Sequence, residues 1–196
     1  MLNKLISILA DNPTLFNFLR RILENNFKNQ KKIISRFSSG GAGKNILDIG
    51  CGTGEFSVFF SSRDYTGIDI EKKYIDYANN NYKGKFIVAD AGRLPFPDRS
   101  FDSIFIGSFL HHLSDEECLR VFKEARRALK PDGKMLVIDA DAGAGCFLTR
   151  LMYRFDRGKF IRTGEEYRRL LTAQFAVKDD FVFKDGLYFR RAFTLN

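Results

Sequence analysis

The fold of this chain is decided by the stretch Ile46-Leu47-Asp48-Ile49-Gly50-Cys51-Gly52-Thr53-Gly54-Glu55. A short apolar run, typical of a buried strand, leads directly into three glycines spaced two apart. Such glycines let the backbone lie close against a ligand and point its N–H groups toward it. Asp69 ends the next predicted strand, where a carboxylate can accept hydrogen bonds from both hydroxyls of a ribose. Together these features indicate a site for a nucleoside-containing cofactor.

The same loop excludes two common phosphate-binding motifs. A dinucleotide fingerprint needs Gly-x-Gly-x-x-Gly, but the third residue after Gly52 is Glu55, whose charge would repel a pyrophosphate. A P-loop needs Gly-x-x-x-x-Gly-Lys-Ser/Thr after a strand, whereas Gly43-Lys44-Asn45 precedes the strand and lacks both the first glycine and the hydroxyl. The remaining interpretation is a cofactor without phosphate groups.

Further apolar runs alternate with helical stretches along the chain. The predicted strands are Asn45–Gly50, Tyr65–Ile70, Phe86–Ala89, Phe101–Gly107 and Met135–Asp139, and a helix is predicted over Asp115–Leu129. Strands that alternate with helices predict a parallel sheet covered by helices. Near the C terminus, Asp185-Gly186 separates two β-rich segments and predicts an antiparallel hairpin that closes the sheet.

Local signals place three more helices. Asn12-Pro13 is an N-cap followed by proline, and apolar residues recur at helical spacing behind it, so we expect residues 13–37 to be mostly helical and amphipathic. A helix is expected from Phe56, directly after the glycine-rich loop. Thr163-Gly164-Glu165-Glu166 has capping-box spacing and predicts a helix that continues to about Leu171.

Charge divides the 196 residues into three parts. The net charge of +8 is distributed as +6 over residues 1–45, −3 over residues 46–146 and +5 over residues 147–196. Basic flanks fit an anionic substrate, a membrane surface or RNA, although solvated surfaces also carry such charge. No apolar run approaches the ~20 residues that cross a bilayer, and we therefore expect a cytoplasmic protein.

The cysteines and histidines do not form a metal-binding pattern. Cys51, Cys118 and Cys146 stand far apart, without a Cys-x-x-Cys pair or histidines at ligand spacing. We expect three reduced thiols and no metal site.

Several ordered motifs over about residues 45–139 resemble those of the class I S-adenosylmethionine-dependent methyltransferases, in particular their small-molecule, type 11-like branch. The loop at Asp48–Gly54 looks like the first motif and Gly67-Ile68-Asp69-Ile70 like the second. The later motifs correspond to Ala89-Asp90-Ala91 with Leu94-Pro95-Phe96, to Phe101–Ile104 leading to Phe109–Leu113, and to the turn Ala128–Gly133. The resemblance implies an α/β fold: a Rossmann-like, seven-stranded, mostly parallel sheet with an antiparallel C-terminal hairpin, helices on both faces and extra N-terminal helices.

The resemblance also implies S-adenosyl-L-methionine as the cofactor, S-adenosyl-L-homocysteine as its product, and a set of contacts. Asp48 would orient the ammonium group, Asp69 would accept from the ribose, and Ile70 would pack on the adenine. Each aspartate could instead cap an adjacent turn. The expected cofactor residues are Asp48, Gly50, Cys51, Gly52, Gly54, Asp69, Ile70, Asp90, Ala91, Ser108 and Phe109.

Residues that contact the methyl acceptor are expected near the carboxyl edge of the sheet. His111 and His112, the only histidines, follow the fourth predicted strand, where one could serve as a base or substrate contact. The substrate candidates are Arg150, Arg154, Arg157 and Arg162, which lie among aromatic residues and suit a carboxylate or phosphate. We expect an anionic or lipid-like small molecule, with peripheral membrane contact open; an RNA methyltransferase and a non-catalytic scaffold are the alternatives.

We interpret residues 1–196 as one methyltransferase domain with four parts. Residues 1–43 form an N-terminal helical cover, residues 44–142 the cofactor-binding core, residues 143–172 a substrate-side insertion, and residues 173–196 the C-terminal hairpin.

Overall fold

A computed structural model describes residues 12–39, 45–60, 64–145, 149, 153 and 158–196. The strands are β1 Ile46–Ile49, β2 Tyr65–Asp69, β3 Lys85–Val88, β4 Phe101–Gly107, β5 Leu129–Ala140, β6 Val177–Asp185 and β7 Tyr188–Leu195. The helices are α1 Pro13–Leu23, α2 Lys28–Ser39, α3 Lys72–Asn81, α4 Asp115–Ala128 and α5 Gly164–Leu171. Single 3₁₀ turns cover Asn25–Phe27, Ser57–Phe59 and Leu110–His112.

The seven strands form one sheet in the order β3-β2-β1-β4-β5-β7-β6. The first five strands in this order are parallel, β7 runs antiparallel to β5, and β6 runs antiparallel to β7. The predicted fold class is therefore confirmed. Because the strand order reverses between β1 and β4, the carboxyl ends of these strands open a crevice, which is where α/β sheets bind ligands.

The local helix and turn signals are confirmed at three places. Asn12 caps α1 by accepting from the Thr14 and Leu15 N–H groups. Thr163 and Glu166 form the capping box that begins α5. The hairpin turns at Gly186, which has a φ of +58°, a conformation that glycine adopts without steric cost.

Other elements differ from the prediction. The helix expected over residues 13–37 is broken by a 3₁₀ turn in which Asn25, Asn26 and Phe27 have φ angles of +47°, +54° and +56°. The break directs Phe27 into the core, where its ring meets the edge of Phe56 at a centroid distance of 5.4 Å. After the glycine-rich loop, the described residues contain only the single turn Ser57–Phe59 instead of a helix.

Strand β5 begins earlier than predicted because it includes the turn before Met135. Its register passes from Leu129 opposite Phe101 to Lys134 opposite Ser103, so residues 130–133 bulge out of the pairing. The expected turn is thus present as an interruption within the strand.

The sheet separates two hydrophobic layers. Alternate residues of β1 and β4 point to opposite faces, as the pleat requires. One layer packs mainly aliphatic side chains against α4 and α5. The other layer is rich in aromatic rings, namely Phe27, Phe56, Phe60, Tyr65, Phe86 and Phe105. Among the described residues, no helix combines the length and the apolar character needed to cross a membrane.

Candidate active site

A cleft of about 390 Å³ opens at the carboxyl ends of the central parallel strands. It is lined by Gly50, Ile68, Asp69, Ile70, Ala89, Asp90, Ala91, Gly92, Phe109, Leu113, Glu117, Arg120 and Val121. A larger, open depression of about 590 Å³ lies at the opposite edge of the sheet, around Asn45, Tyr65 and Phe101. Ligands of open α/β sheets bind at the carboxyl ends of the strands, so the smaller cleft is the candidate cofactor site.

Asp69 lies at the rim of this cleft and holds the glycine-rich loop in place. Its Oδ2 accepts from the Gly52 N–H at 2.9 Å, and its Oδ1 accepts from the Glu71 N–H at 2.9 Å. Burial raises the pKa of this carboxyl above its usual value, against the lowering effect of the two backbone N–H groups. A carboxylate oxygen can accept more than one hydrogen bond, so both oxygens keep capacity for the hydroxyls of a ribose.

The three glycines of the loop meet different neighbours. A Cβ on Gly50, which has a φ of +74°, would lie 2.4 Å from the Phe109 ring. A Cβ on Gly52, which has a φ of +54°, would meet nothing within 4 Å. A Cβ on Gly54 would lie 2.9 Å from Phe86 and 3.0 Å from Ala78. The space beside Gly52 is therefore open for a ligand, whereas Gly54 is required by packing against the protein itself.

The adenine end of the predicted site lies beyond β2 and β3. Ile70 is 69% exposed and lines the cleft, so its apolar surface is available to a flat ring. Asp90 accepts from the Gly92 N–H at 2.8 Å, which is a turn-capping contact. Asp90 and Ala91 nevertheless line the cleft, and their roles as cofactor contacts stay predictions.

Asp48 and Cys51 lie behind the cleft rather than in its lining. The Asp48 carboxylate is buried and accepts from the Tyr65 hydroxyl at 2.6 Å. Burial raises the pKa of Asp48 to about 7, and the Tyr65 hydrogen bond opposes this shift. Burial likewise raises the pKa of the Cys51 thiol. The ammonium-orienting role of Asp48 stays a prediction; the contact that the structure shows is the one with Tyr65.

The turn after β4 is organised by Asp139, which sequence reasoning did not identify as a site residue. Its Oδ2 accepts from the N–H groups of Phe109 and Leu110 at 3.1 and 2.8 Å. Its Oδ1 lies 2.5 Å from His111 Nδ1. Burial alone would raise the pKa of Asp139, but the neighbouring His111 and the Ala140 N–H hold it below its usual value. Asp139 is therefore a carboxylate at neutral pH and can accept a hydrogen bond from the Nδ1 of His111.

His111 and His112 differ in their surroundings. His111 is 5% exposed, and the chain passes over its ring at Gly158, where an added Cβ would lie 2.1 Å from His111 Cδ2. The Phe160 N–H also donates to the His111 carbonyl at 2.9 Å. The exposed His112 ring lies against that of His111, with the centroids 4.1 Å apart. The region 158–160 of the predicted substrate-side insertion thus covers His111 but leaves His112 exposed.

Ser108 belongs to a buried charge network that connects the two ends of the chain. Its φ is +55°, which is uncommon for a non-glycine residue and typical of functional sites. The Ser108 hydroxyl accepts from Arg190 Nη1 at 2.8 Å, while Arg190 Nη2 donates to Glu24. Glu24 and Arg190 lie 166 residues apart in sequence, so local patterns gave no signal for this pair.

Among the four predicted substrate arginines, Arg162 is the one that the structure describes. Arg150, Arg154 and Arg157 lie outside the described residues. Arg162 is 6% exposed, and its guanidinium donates to the Asp115 carboxylate and to the carbonyls of Leu110, Leu113 and Phe160. Because these contacts fix the turn after β4 to the region before α5, Arg162 acts here as a structural clamp rather than as a substrate contact.

One wall of the cleft comes from residues that sequence reasoning did not select. Leu113, Glu117, Arg120 and Val121 lie at helical spacing on one side of α4 and the turn before it. The Ser114 capping box, which begins α4, gives the signal that would have found them, since it fixes which residues form the first turns of the helix.

The strand order and the cleft at the switch point define a Rossmann-like, nucleoside-binding domain. Comparison with known proteins makes this more specific. Residues 46–133 match the family described as a methyltransferase domain. Residues 46–133 of this chain are therefore similar to the methyltransferase domain of the class I S-adenosylmethionine-dependent family. The family and the cofactor predicted from the motifs are confirmed.

Two curated relatives match about half of the chain. The 27-O-demethylrifamycin SV methyltransferase of Amycolatopsis mediterranei is 38% identical over 108 residues, which are 50% of this chain and 39% of that protein. The demethylmenaquinone methyltransferase of Thermotoga maritima is 36% identical over 99 residues, which are 48% of this chain and 42% of that protein. The chain thus matches less than half the length of either relative.

Solved structures match most of the chain. A Methanosarcina mazei structure described as a SAM-dependent methyltransferase is 25% identical with a TM-score of 0.67, covering 80% of this chain and 94% of that one. A Pyrococcus horikoshii protein matches at a TM-score of 0.70 and 21% identity, covering 90% and 95%. Geranyl diphosphate C-methyltransferase from Streptomyces coelicolor, crystallised with S-adenosyl-L-homocysteine, has the same fold at a TM-score of 0.68 and 13% identity, covering 88% and 82%.

Proposed function

We propose that this protein transfers a methyl group from S-adenosylmethionine to a small-molecule acceptor. The observation that carries the proposal is the cleft at the ends of β1, β2 and β3, where Asp69, the exposed Ile70 and the open space beside Gly52 meet. Bound there, the cofactor supplies a methyl group already activated on a sulfonium. The protein then has to align the acceptor and exclude water.

The residues of the cleft suit the ribose, adenine and sulfonium parts of this cofactor. Asp69 offers two acceptor oxygens to a ribose, and Ile70 offers an apolar surface to adenine. Phe109 lies over Gly50 and forms the wall toward the acceptor side, where an aromatic face favours a cationic sulfonium. The cleft volume falls within the range of ~300–1,000 Å³ that is usual for small-molecule sites.

We propose His111 as the base when the acceptor must lose a proton. Asp139 engages Nδ1 and fixes the orientation of the ring, so Nε2 is the nitrogen that takes up the proton. The turn that carries His111 also carries Phe109, which lines the cofactor cleft. Asp139 therefore positions the base and the cleft wall together, through one carboxylate.

The acceptor that we propose is anionic or lipid-like. The basic segments 1–45 and 147–196 support this choice, because both flank a mildly acidic core. The relatives act, according to their names, on demethylmenaquinone, on 27-O-demethylrifamycin SV and on geranyl diphosphate. These are large apolar molecules or carry an anionic group, in agreement with the proposed class.

The direct test incubates the purified chain with methyl-labelled S-adenosylmethionine and separate pools of quinols, prenyl diphosphates, acidic metabolites and RNA. We expect label in an anionic or lipid-like product identified by mass spectrometry. Label in RNA alone or in a cationic acceptor would contradict the acceptor class. If the protein binds the cofactor but labels no product in any pool, the result would favour the alternative of a non-catalytic scaffold.

Once an acceptor is known, alanine substitutions can distinguish the roles of the two histidines. His111→Ala should lower kcat by about 10²–10⁴, while the Kd of the cofactor stays within a few-fold. His112→Ala is the matched control and should retain most of the activity. Full activity of the His111 variant would show that His111 is not a base, so that alignment of the acceptor with the cofactor alone would account for catalysis.

A further inference from the structure

The N-terminal helix α1 turns its apolar side away from the protein. Leu15, Phe18 and Ile22 recur at spacings of three and four, so they lie on one face of the helix. They are 37%, 59% and 62% exposed. An amphipathic helix of a globular protein ordinarily directs this face to the core, so the exposed face requires a physical reason.

The orientation of α1 is fixed by its polar side. Asn17 accepts from the Thr53 hydroxyl at 2.8 Å, and Arg21 Nη2 donates to the Glu55 carboxylate at 2.8 Å. Glu24, at the end of the helix, pairs with Arg190. The Leu187 N–H donates to the carbonyl of Leu23 at 3.1 Å. These contacts hold the polar face inward, so rotation of the helix to bury Phe18 would break all of them.

The segment that carries the exposed face is rich in basic residues. Between residues 12 and 39 the sequence has six basic residues, namely Arg20, Arg21, Lys28, Lys31, Lys32 and Arg36, and one acid, Glu24. Glu24 is buried against Arg190 and adds no negative charge to the surface. Lys28, Lys32 and Arg36 are exposed on α2. Arg20 and Arg21 are paired with Glu24 and Glu55, so the exposed positive charge of this segment comes mainly from the lysines and the arginine of α2.

We propose that the face formed by Leu15, Phe18 and Ile22, called the α1 face below, docks on the surface of an anionic lipid bilayer. An exposed apolar stripe on a helix, within a segment rich in lysine and arginine, has the composition of segments that lie in the membrane interface. With 11 residues, α1 is too short to span a bilayer. The excess of basic residues selects anionic headgroups over a neutral apolar partner. This inference goes beyond the proposed function and does not depend on it.

The test measures co-sedimentation of the full chain with vesicles of phosphatidylcholine alone or with about a third phosphatidylglycerol, a content that gives a clearly negative surface potential. We expect binding to the anionic vesicles that weakens as salt is added. The double variant Phe18→Ser with Ile22→Ser should bind at least about tenfold more weakly, because little apolar area remains to be buried. The matched control is Phe181→Ser with Val182→Ser, two side chains on β6 that are 39% exposed.

Three results would overturn the proposal: no binding of the parent chain to anionic vesicles, equal loss in the control variant, or unchanged binding of the α1-face variant. Sedimentation equilibrium without lipid provides a fourth, because a dimer that the α1-face variant abolishes would show that a second copy covers this face. Cofactor binding by calorimetry without vesicles should be the same in all variants. A chain that binds lipid but no cofactor would refute the proposed function alone.

Discussion

Glu24 and Arg190 form an ion pair in which both side chains are only 5% exposed. Glu24 ends α1 near the N terminus, and Arg190 lies on β7, the strand next to β5 in the sheet. Arg190 also donates to Ser108, directly before the Phe109 wall of the cleft. The pair thus connects the helical segment that precedes the core to the turn that carries the site.

Removal of the glutamate charge should destabilise the protein strongly. Glu24→Gln removes the carboxylate that is hydrogen-bonded to the buried Arg190 charge, a change that typically costs about 3–5 kcal/mol of unfolding free energy. Urea denaturation of the parent and variant measures the loss. Asp76→Asn is the control, because it breaks the exposed pair with Lys72 and should cost less than about 1 kcal/mol. Similar small changes in both variants would show that the buried pair contributes little.

The same pair should make the protein sensitive to acid. Burial by itself would raise the pKa of Glu24, but Arg190 and Arg20 hold it below its usual value. Because the pKa of Glu24 is lower in the folded protein than in the unfolded chain, the ionised carboxylate stabilises the fold at neutral pH. This stabilisation is lost as the pH falls below the ordinary glutamate range. In Glu24→Gln this part of the acid dependence should disappear from the unfolding profile. Parallel profiles of parent and variant would contradict the shift.

Asp48 should have the opposite pH dependence. Its folded-state pKa is about 7 because of burial, so the folded protein holds a proton that the unfolded chain releases near pH 4. Stability from this group therefore falls as the pH rises from about 4 to 7, by at most about 1.4 kcal/mol per pH unit. Asp48→Asn should gain stability relative to the parent across this window, measured by urea denaturation without cofactor. If the difference in unfolding free energy between Asp48→Asn and the parent were the same at pH 5 and pH 8, the raised pKa of Asp48 would be contradicted.

Alanine substitutions at Gly50 and Gly52 should have different effects on stability and cofactor binding. Gly50→Ala drives a Cβ into the Phe109 ring and should lower both thermal stability and cofactor affinity. Gly52→Ala meets open space, so it should fold with only the ~1–2 kcal/mol cost of a left-handed alanine, yet bind S-adenosylmethionine at least about tenfold more weakly. Phe109→Ala should restore part of the stability lost in Gly50→Ala. Normal cofactor binding by the folded Gly52 variant would place the ligand elsewhere.

The sequence predicted the parts of this structure that local patterns determine. The alternation of apolar runs and helices predicted the sheet, and Asp185-Gly186 predicted the hairpin. Asp69 was predicted as a site residue because it ends a strand, whereas Ile70 and Asp90 were predicted because the resemblance to the methyltransferase motifs implies them; all three line the cleft. Such signals lie within a few residues of the feature that they specify.

The remaining contacts depend on residues that are distant in sequence. Asp185, predicted as a turn residue, also accepts from the Asn29 and Gln30 N–H groups at the start of α2, both at 2.8 Å. Arg162 was predicted to contact an anionic substrate. Its partners in the structure are the Asp115 carboxylate and the carbonyls of Leu110 and Leu113. Because these partners are distant in sequence, no local pattern indicated them. Helical spacing likewise identified the apolar face of α1 but could not determine that its polar face binds Thr53 and Glu55.

The central claim is that the cleft beside Asp69 binds S-adenosylmethionine, and calorimetric titration of the cofactor tests it most directly. Asp69→Asn should weaken binding by about 1–3 kcal/mol, or roughly tenfold to a hundredfold in Kd, because the ribose hydroxyls lose a charged acceptor. Asp76→Asn, an exposed carboxylate on the neighbouring helix α3, should bind like the parent. Failure of the parent to bind the cofactor, or equal affinity of Asp69→Asn and the parent, would contradict the account.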